Sequence, residues 1–100
     1  MAFEHWGHTF EGAWNSPSNL EPRPGVFVVW CKTGANWAVL DAGESQDVKV
    51  AVLSHARKET WKQKCTGEMY FAATYTPSLE QAARKEIEQK IRQISHPSCG

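Results

Sequence analysis

The chain has no net charge, no long apolar run and few cysteines. Its 100 residues carry 11 Lys and Arg against 11 Asp and Glu. This balance removes the simplest electrostatic argument for nucleic-acid binding. No apolar stretch approaches the ~20 residues that cross a bilayer, and the N-terminus has neither the basic start nor the apolar stretch of a signal peptide. We therefore expect a protein without membrane contact, located in the cytoplasm.

The three cysteines, Cys31, Cys65 and Cys99, are widely spaced, odd in number and free of any CxxC pair. Zinc sites gather their ligands at short spacings. His96 and Cys99 could contribute two ligands, but nothing near them in the sequence completes a set of four. In a cytoplasmic chain, the pattern predicts reduced thiols rather than disulfides or a zinc site.

The composition favours one packed domain, because apolar residues make up 41% of the chain and five of them are Trp. Residues 1–24 are dense in Pro and Asn, which fix turns and extended segments. We interpret them as an irregular N-terminal arm, with at most one short strand near residues 9–11. A domain over residues 25–96 and a tail over residues 97–100 complete the predicted organisation.

The regular elements are clearest after Gly25. Runs rich in β-branched and aromatic residues predict strands over residues 26–31, 37–41 and 69–75, the first two joined as a hairpin. A capping Thr76, with Pro at the next position, predicts a helix over residues 77–94. One stripe of this helix is apolar: Leu79, Ala83, Ile87, Ile91 and Ile94. The predicted class is α/β (α+β), a three-stranded, mainly antiparallel sheet flanked by helices.

Residues 47–56 fit two structures. Val48, Val50 and Val52 alternate with other residues, which by period alone predicts a strand. Against that, Ser45 and Asp47 are residue types that cap helices, and the segment that follows is rich in helix formers. The residues themselves leave both alternatives open.

Three short motifs occur in a recognisable order: Gly25-Val26-Phe27 opens a strand, Asp41-Ala42-Gly43 closes the next, and Glu88 lies on the last helix. Over roughly residues 25–94 this resembles the GIY-YIG nuclease family. The resemblance implies a helix over residues 47–57 and a metal-ligand position for Glu88, where Mg²⁺ or Mn²⁺ would bind. It also implies that Val48, Val52 and Ile87 are buried between helix and sheet.

The chain departs from the family at the positions that carry its chemistry. The first family Tyr is Phe27, the second is Asp41, and the catalytic Arg is Ala51. Phe27 has no oxygen to help activate water, and Ala51 cannot donate hydrogen bonds to phosphate. The resemblance therefore favours a nuclease-like scaffold over a working nuclease.

A basic segment over residues 55–64 places four cations and Trp61 close together. Such a segment can hold a phosphate backbone while the indole stacks on a base. The alternative is a solvated helix end with Trp61 tucked into the core. The candidate nucleic-acid-binding residues are Arg57, Lys58, Trp61, Lys62 and Lys64.

Three functions follow from these patterns. The leading hypothesis is a non-catalytic GIY-YIG-like module that binds nucleic acid or a protein partner. The second is a divergent metal-dependent phosphodiesterase or endonuclease that uses Asp41, His55 and Glu88, with Arg57 or Lys58 as a phosphate clamp. The third is a structural or regulatory protein without nucleic-acid contact.

Each candidate catalytic residue also has a structural interpretation. Glu88 can pair with Arg84 and Arg92, four residues to either side on one helix. His55 can lie at a helix end and cover the edge of the core. Asp41 can cap the turn that follows its strand.

Overall fold

The structure is a computed structural model that describes residues 2–99. In chain order its elements are β1 (Ala2–His5), β2 (His8–Trp14), a 3-10 turn (Pro17–Asn19), β3 (Gly25–Thr33), β4 (Asn36–Ser45), α1 (Val48–Leu53), α2 (Lys58–Lys64), β5 (Glu68–Tyr75) and α3 (Gln81–Ser95). The five strands form one sheet in the order β1-β2-β5-β3-β4, and every neighbouring pair is antiparallel. The predicted mixed class and antiparallel sheet are confirmed, but the sheet has five strands rather than three.

Strand β3 lies in the interior of the sheet, between β4 and β5. Its residues from Gly25 to Cys31 are all buried. A strand covered on both faces needs apolar side chains at consecutive positions, and the β-branched and aromatic run from Val26 to Trp30 supplies them. This strand is therefore the part of the fold that the sequence predicts most directly.

Helices cover the two faces of the sheet. The α2 face, which carries Phe27, Val29 and Cys31 of β3, packs against α1 and α2. The α3 face, which carries Val26, Val28 and Trp30, packs against α3. The helical residues buried in these layers are Val48, Val52 and Trp61 on the first face and Ile91 on the second.

The predicted irregular arm is wrong for its first half, because residues 2–14 form the β1–β2 hairpin. Trp6 and Gly7 form its turn with positive φ angles of 49° and 78°. A hairpin turn of this kind is signalled most strongly by Asn-Gly or Asp-Gly, and Trp-Gly gives no such signal. The hairpin is fixed by tertiary contacts instead, since β2 pairs with β5 and Phe10 is fully buried.

The ambiguous segment is helical, as the resemblance implied, but it is divided. Asp47 caps α1 by accepting a hydrogen bond from the Val50 N–H at 3.0 Å. Val48 and Val52 are buried as predicted, whereas Val50 is 56% exposed. The predicted helix over 47–57 therefore ends at Leu53, and α2 begins at Lys58.

The last helix begins four residues later than predicted. Thr76 does not cap it, because its N–H donates to the Pro24 carbonyl and its carbonyl accepts from Leu79 in a turn. Ile91 is buried and Ile87 is partly buried against the sheet, but Leu79 and Ile94 are exposed. The apolar stripe is therefore narrower than its spacing indicated.

Two of the three cysteines form a disulfide, so the prediction of reduced thiols is wrong for Cys31 and Cys65. Cys31 lies on β3 and Cys65 ends α2, and packing of α2 on the sheet brings their Cα atoms to 5.5 Å. Because the two are 34 residues apart in sequence, spacing alone could not show this. Cys99 is a free, buried thiol.

The C-terminal segment covers the outer edge of β4. The N–H groups of Ser98 and Cys99 donate to the carbonyls of Val39 and Leu40 at 3.3 and 2.7 Å. An uncovered edge strand exposes unpaired backbone groups to other chains. Within residues 2–99, no helix is long and apolar enough to cross a membrane.

Candidate functional site around Asp41

Asp41 is a charged residue inside the edge strand β4, and its side chain is fully buried. The pairing of β4 with β3 shifts here, because Asp41 faces Val29 while Val39 faces Trp30. One extra residue, Leu40, therefore lies between the two pairs, which is the arrangement of a β-bulge. A bulge changes the direction of the neighbouring side chains. Here the neighbouring side chain is the Asp41 carboxylate, which lies among apolar residues.

The Asp41 carboxylate accepts hydrogen bonds from four groups. Arg57 Nε and Trp61 Nε1 donate to Oδ2 at 2.7 and 2.9 Å. Arg92 Nη2 donates to Oδ1 at 2.6 Å. Oδ1 also accepts from Arg57 Nη2 at 3.2 Å and from the N–H of the next residue at 2.8 Å. Both oxygens are thereby saturated, and two of the donors are cations.

These donors decide the charge of the group. Burial alone would raise the pKa of Asp41, but the hydrogen bonds from Arg57, Trp61 and Arg92 outweigh it and hold the pKa below its usual value. The carboxyl is therefore ionised at neutral pH. A buried carboxylate that already has two guanidinium partners is an anchor for those partners.

The two arginines reach Asp41 from different helices. Arg57 immediately precedes α2, and its side chain is 40% exposed. Arg92 lies on α3 and also donates to the carbonyls of Ala42 and Cys99. Because Arg92 binds the edge of β4 and the C-terminal segment together, the site joins α2, α3, the sheet and the tail.

His55 lies beside this network rather than within it. Its Nδ1 accepts the backbone N–H of Arg57 at 3.1 Å, and its ring contacts Trp61 and Phe27 with centroids 4.7 and 5.8 Å apart. Burial, followed by the charge of Arg57, lowers the pKa of His55, although Asp41 acts in the opposite direction. The imidazole is therefore neutral at pH 7, and its Nδ1 lone pair is already used.

Glu88 pairs with Arg92, whose Nε lies 3.1 Å from Oε2. The expected partnership of Glu88 with Arg84 is wrong, because Arg84 forms a buried ion pair with Glu44 at 3.0 Å. The reason is geometric: Arg84 points towards the end of β4, where Glu44 lies, and its Nη1 donates to the Leu79 carbonyl.

The three candidate catalytic residues thus share one neighbourhood, but arginines connect them. The Arg92 guanidinium donates to both Asp41 and Glu88. The Arg57 guanidinium donates to Asp41, and the Arg57 backbone N–H donates to His55. Among the residues that the structure describes, no group of three or more His, Cys, Asp or Glu could hold a metal ion. Mg²⁺ or Mn²⁺ bound between Asp41 and Glu88 would have to displace the Arg92 guanidinium, so these residues do not fit the ion.

The basic segment has partners of its own. Lys58 Nζ and Lys64 Nζ donate to the carbonyls of Leu53 and Ser98 at 2.8 and 2.7 Å. Lys62 pairs with Glu59 at 3.5 Å on the exposed side of α2. Trp61 is 1% exposed, so of the two alternatives the structure shows the indole in the core, where it cannot stack on a base.

Sequence reasoning missed how Asp41 is held. The helical spacing pairs Arg92 with Glu88 only, and no pattern in the sequence indicates that Arg92 and the Trp61 indole donate to Asp41. The available signal was an acidic residue inside the apolar run of residues 38–42, since a buried carboxylate requires charged partners. Sequence could not say which cations supply them.

The comparisons with known proteins give no family assignment: no family model matches this chain, and no curated protein or solved structure matches it.

Proposed function

We propose that this chain is a non-catalytic, nuclease-like module that binds nucleic acid weakly through the lysines of α2. The observation that carries the proposal is the saturated Asp41 carboxylate. A residue at this position that acted in catalysis would need a free oxygen, and both oxygens are used to hold Arg57, Arg92 and Trp61. The same interaction fixes α2, with its lysines, against the sheet.

The order of elements from β3 to α3 supports the nuclease-like part of the proposal. It is strand, strand, helix, helix, strand, helix. Phe27 packs against Gly43 on the neighbouring strand, where a Cβ would lie 2.5 Å from the Phe27 ring. The positions that carry the resemblance are therefore adjacent, but they present a phenyl ring where the family has a phenol.

Charge supports the binding part of the proposal. Residues 57–64 contain four cations and one anion, and Lys62 and Lys64 are exposed. The partners of Lys58 and Lys64 are neutral carbonyls. Phosphate competes well with such partners, because hydrogen bonds between two charged groups are about twice as strong as neutral ones.

Binding should be measured by fluorescence anisotropy with labelled DNA and RNA over a range of salt concentrations. Because the Arg57 guanidinium is held on Asp41, three phosphate contacts by Lys58, Lys62 and Lys64 predict a log–log slope of about −2 to −3. The test variant is Lys58→Glu/Lys62→Glu/Lys64→Glu, which leaves Arg57 on Asp41. We expect it to lose detectable binding.

The matched control is Lys49→Glu/Lys85→Glu/Lys90→Glu, which makes the same charge change on α1 and α3. We expect it to retain most of the affinity, since it changes the net charge of the protein but leaves the lysines of α2 in place. An equal loss in both variants, or no loss in the α2 variant, would refute the proposed surface. A protein captured by the wild type but not by the α2 variant would assign the same surface to a protein partner.

A cytoplasmic location belongs to this proposal, and the disulfide argues against it, because cytosolic reductants keep most thiols reduced. Alkylation in denaturant at the moment of cell lysis, which also reaches buried thiols, distinguishes the two states. Three modified cysteines are expected in a reducing compartment. One modified cysteine, Cys99, would show that the bond between Cys31 and Cys65 persists and would contradict the location.

A further inference from the structure

The α3 face of the sheet carries a cluster of aromatic side chains contributed by the strands and by the turn between β1 and β2. Trp30 is its floor, with Trp6 stacked on it at 5.9 Å and Phe3 at 6.0 Å between ring centroids. Trp37 meets Trp30 edge-on at 6.3 Å and contacts Tyr70 at 5.0 Å. The β1–β2 hairpin forms one wall of this cluster, and the start of β4 forms the other.

A cleft of about 540 Å³ opens between these walls, and its lining includes Phe3, His5, Trp30 and Trp37. It continues into a second cleft of about 430 Å³, which shares His5, Trp30 and Trp37 and extends to Ser95, His96 and Ser98. Either volume suits a small organic group. Two such volumes in a row suit an extended ligand with a repeating unit. We call them together the aromatic cleft.

The exposure of Trp37 is the feature of this cleft that a role in stabilising the fold explains least. Trp37 is 49% exposed, although a Trp side chain contributes most to stability when it is buried. Its neighbours Trp30 and Tyr70 hold its ring upright at the rim of the cleft. A large aromatic surface held rigid in solvent is typical of recognition sites.

The charges around the cleft select the ligand. Lys32 Nζ lies 5.5 Å from the centre of the Trp37 ring, and His5 and His96 lie on the lining. None of the described residues that line either volume is Asp or Glu. Glu68, which faces Lys32 across β3 and β5 and accepts from the Tyr70 hydroxyl at 3.2 Å, lies outside the lining of both volumes. A flat ring attached to an anion fits an exposed Trp37 ring that has Lys32 beside it.

We propose that the aromatic cleft binds single-stranded nucleic acid, with a base stacked on Trp37 and its phosphate facing Lys32. The bases of both DNA and RNA stack on aromatic side chains whatever the nucleotide sequence, and cations beside the rings hold the phosphate backbone. The proposal rests on the proposed function for nucleic acid as the ligand class. It adds that the nucleic acid is single-stranded. It also adds a second contact surface, on the face of the sheet opposite α2.

The test compares binding of labelled (dT)12 with that of a labelled 12-base-pair duplex at one low salt concentration. Trp37→Ala should weaken binding of (dT)12 by about 5- to 150-fold, the range expected for the loss of one stacked base. It should leave the duplex affinity unchanged, because paired bases cannot enter the cleft. Trp37→Phe, which keeps a ring, should lie between wild type and Trp37→Ala.

The α2 lysine variant separates this inference from the proposed function. Loss of (dT)12 binding in Trp37→Ala, with the α2 variant unaffected, would support the cleft and refute the α2 surface. Loss in the α2 variant, with Trp37→Ala unaffected, would refute the cleft and leave the proposed function standing. Quenching of Trp fluorescence by a proline-rich peptide but not by (dT)12 would also overturn the inference, and would assign the cleft to a peptide. Thermal melting of each variant shows whether it is folded.

Discussion

A single carboxylate, that of Asp41, determines how α2, α3 and the edge of the sheet meet. Its burial would be unfavourable without compensation, and the compensation comes from two guanidinium groups and an indole N–H. Because Arg57 and Arg92 remain partly exposed, they keep some hydration while they neutralise the buried charge.

Asp41→Asn should destabilise the protein by about 2–4 kcal/mol. The change leaves two cations without their shared counter-ion and places an NH₂ group opposite N–H donors, and loss of one partner of a buried pair costs several kcal/mol. Urea denaturation measures it. Glu88→Gln is the control, with an expected cost of a few tenths of a kcal/mol, as for a helix-surface pair. A cost for Asp41→Asn no larger than that of the control would show that the network is dispensable.

The second prediction at this scale concerns pH. Burial and the charge of Arg57 lower the pKa of His55, so the folded state binds fewer protons than the unfolded state below about pH 6.5. The contribution of His55 to stability is therefore complete above that pH and is lost as pH falls through the folded pKa. Asp41, whose pKa is also lowered, adds a second loss below about pH 4.

Urea midpoints measured between pH 8 and pH 3 should be flat above pH 7 and decline in these two ranges. His55→Gln should remove the first decline and keep the second. If wild type and His55→Gln lose stability in parallel between pH 7 and pH 5, the assignment of the first decline to His55 is wrong.

At the scale of elements, α2 shows how a short helix is retained. Seven residues form a marginal helix in isolation. This one is held by buried Trp61, by Arg57 on Asp41 and by the disulfide from its last turn to β3. The sequence predicted a helix over residues 47–57, which stops before α2, and it did not predict these attachments, because they depend on residues far apart in the chain.

Removing the disulfide by Cys31→Ser/Cys65→Ser should cost about 3–4 kcal/mol, the chain-entropy value for a closed loop of 34 residues. Denaturation with and without dithiothreitol measures it. The reductant should bring the wild type to the level of the variant and leave the variant unchanged. If the free energy of unfolding of the wild type stays the same when dithiothreitol has reduced the disulfide, this prediction is wrong.

At the scale of the whole molecule, the protein presents α2 with its lysines on one face and an aromatic cleft on the other. The buried charge network between them has no free carboxylate. The two proposed contact surfaces are therefore separate, and each can be removed without the other. Neither requires the positions that carry the chemistry of the GIY-YIG family.

Purified protein should not cleave DNA or RNA at rates typical of nucleases in Mg²⁺ or Mn²⁺. General-base help is worth ~10²–10⁴-fold, and Phe27 cannot supply it. A charge-stabilising group is worth ~10²–10³-fold, and Ala51 cannot supply it. Plasmid nicking and single-strand cleavage assays should show activity at least about four orders of magnitude below that of a working enzyme. Robust cleavage that Glu88→Gln abolishes would refute the non-catalytic assignment.

The local chemistry of the chain was sufficient for the elements that depend on it. The apolar run of β3, the hairpin to β4, the third predicted strand and the last helix follow from residue types and spacing, and all four are present. The β1–β2 hairpin was not predictable, because its turn residues Trp6 and Gly7 carry no standard signal and its strands are stabilised by pairing with β5.

The candidate site, like the fold, has a part that the sequence indicated and a part that only the tertiary structure shows. The resemblance to the GIY-YIG family singled out Asp41, His55 and Glu88, and the density of basic residues over 55–64 singled out Arg57. Only the tertiary structure decided that Arg92 and Trp61 complete the network, that the Cys31 and Cys65 sulfurs are bonded, and that Trp37 stands exposed beside Lys32. The physical reason is that these contacts join residues on different elements, and the positions of the elements follow from burial of the whole core rather than from any local pattern.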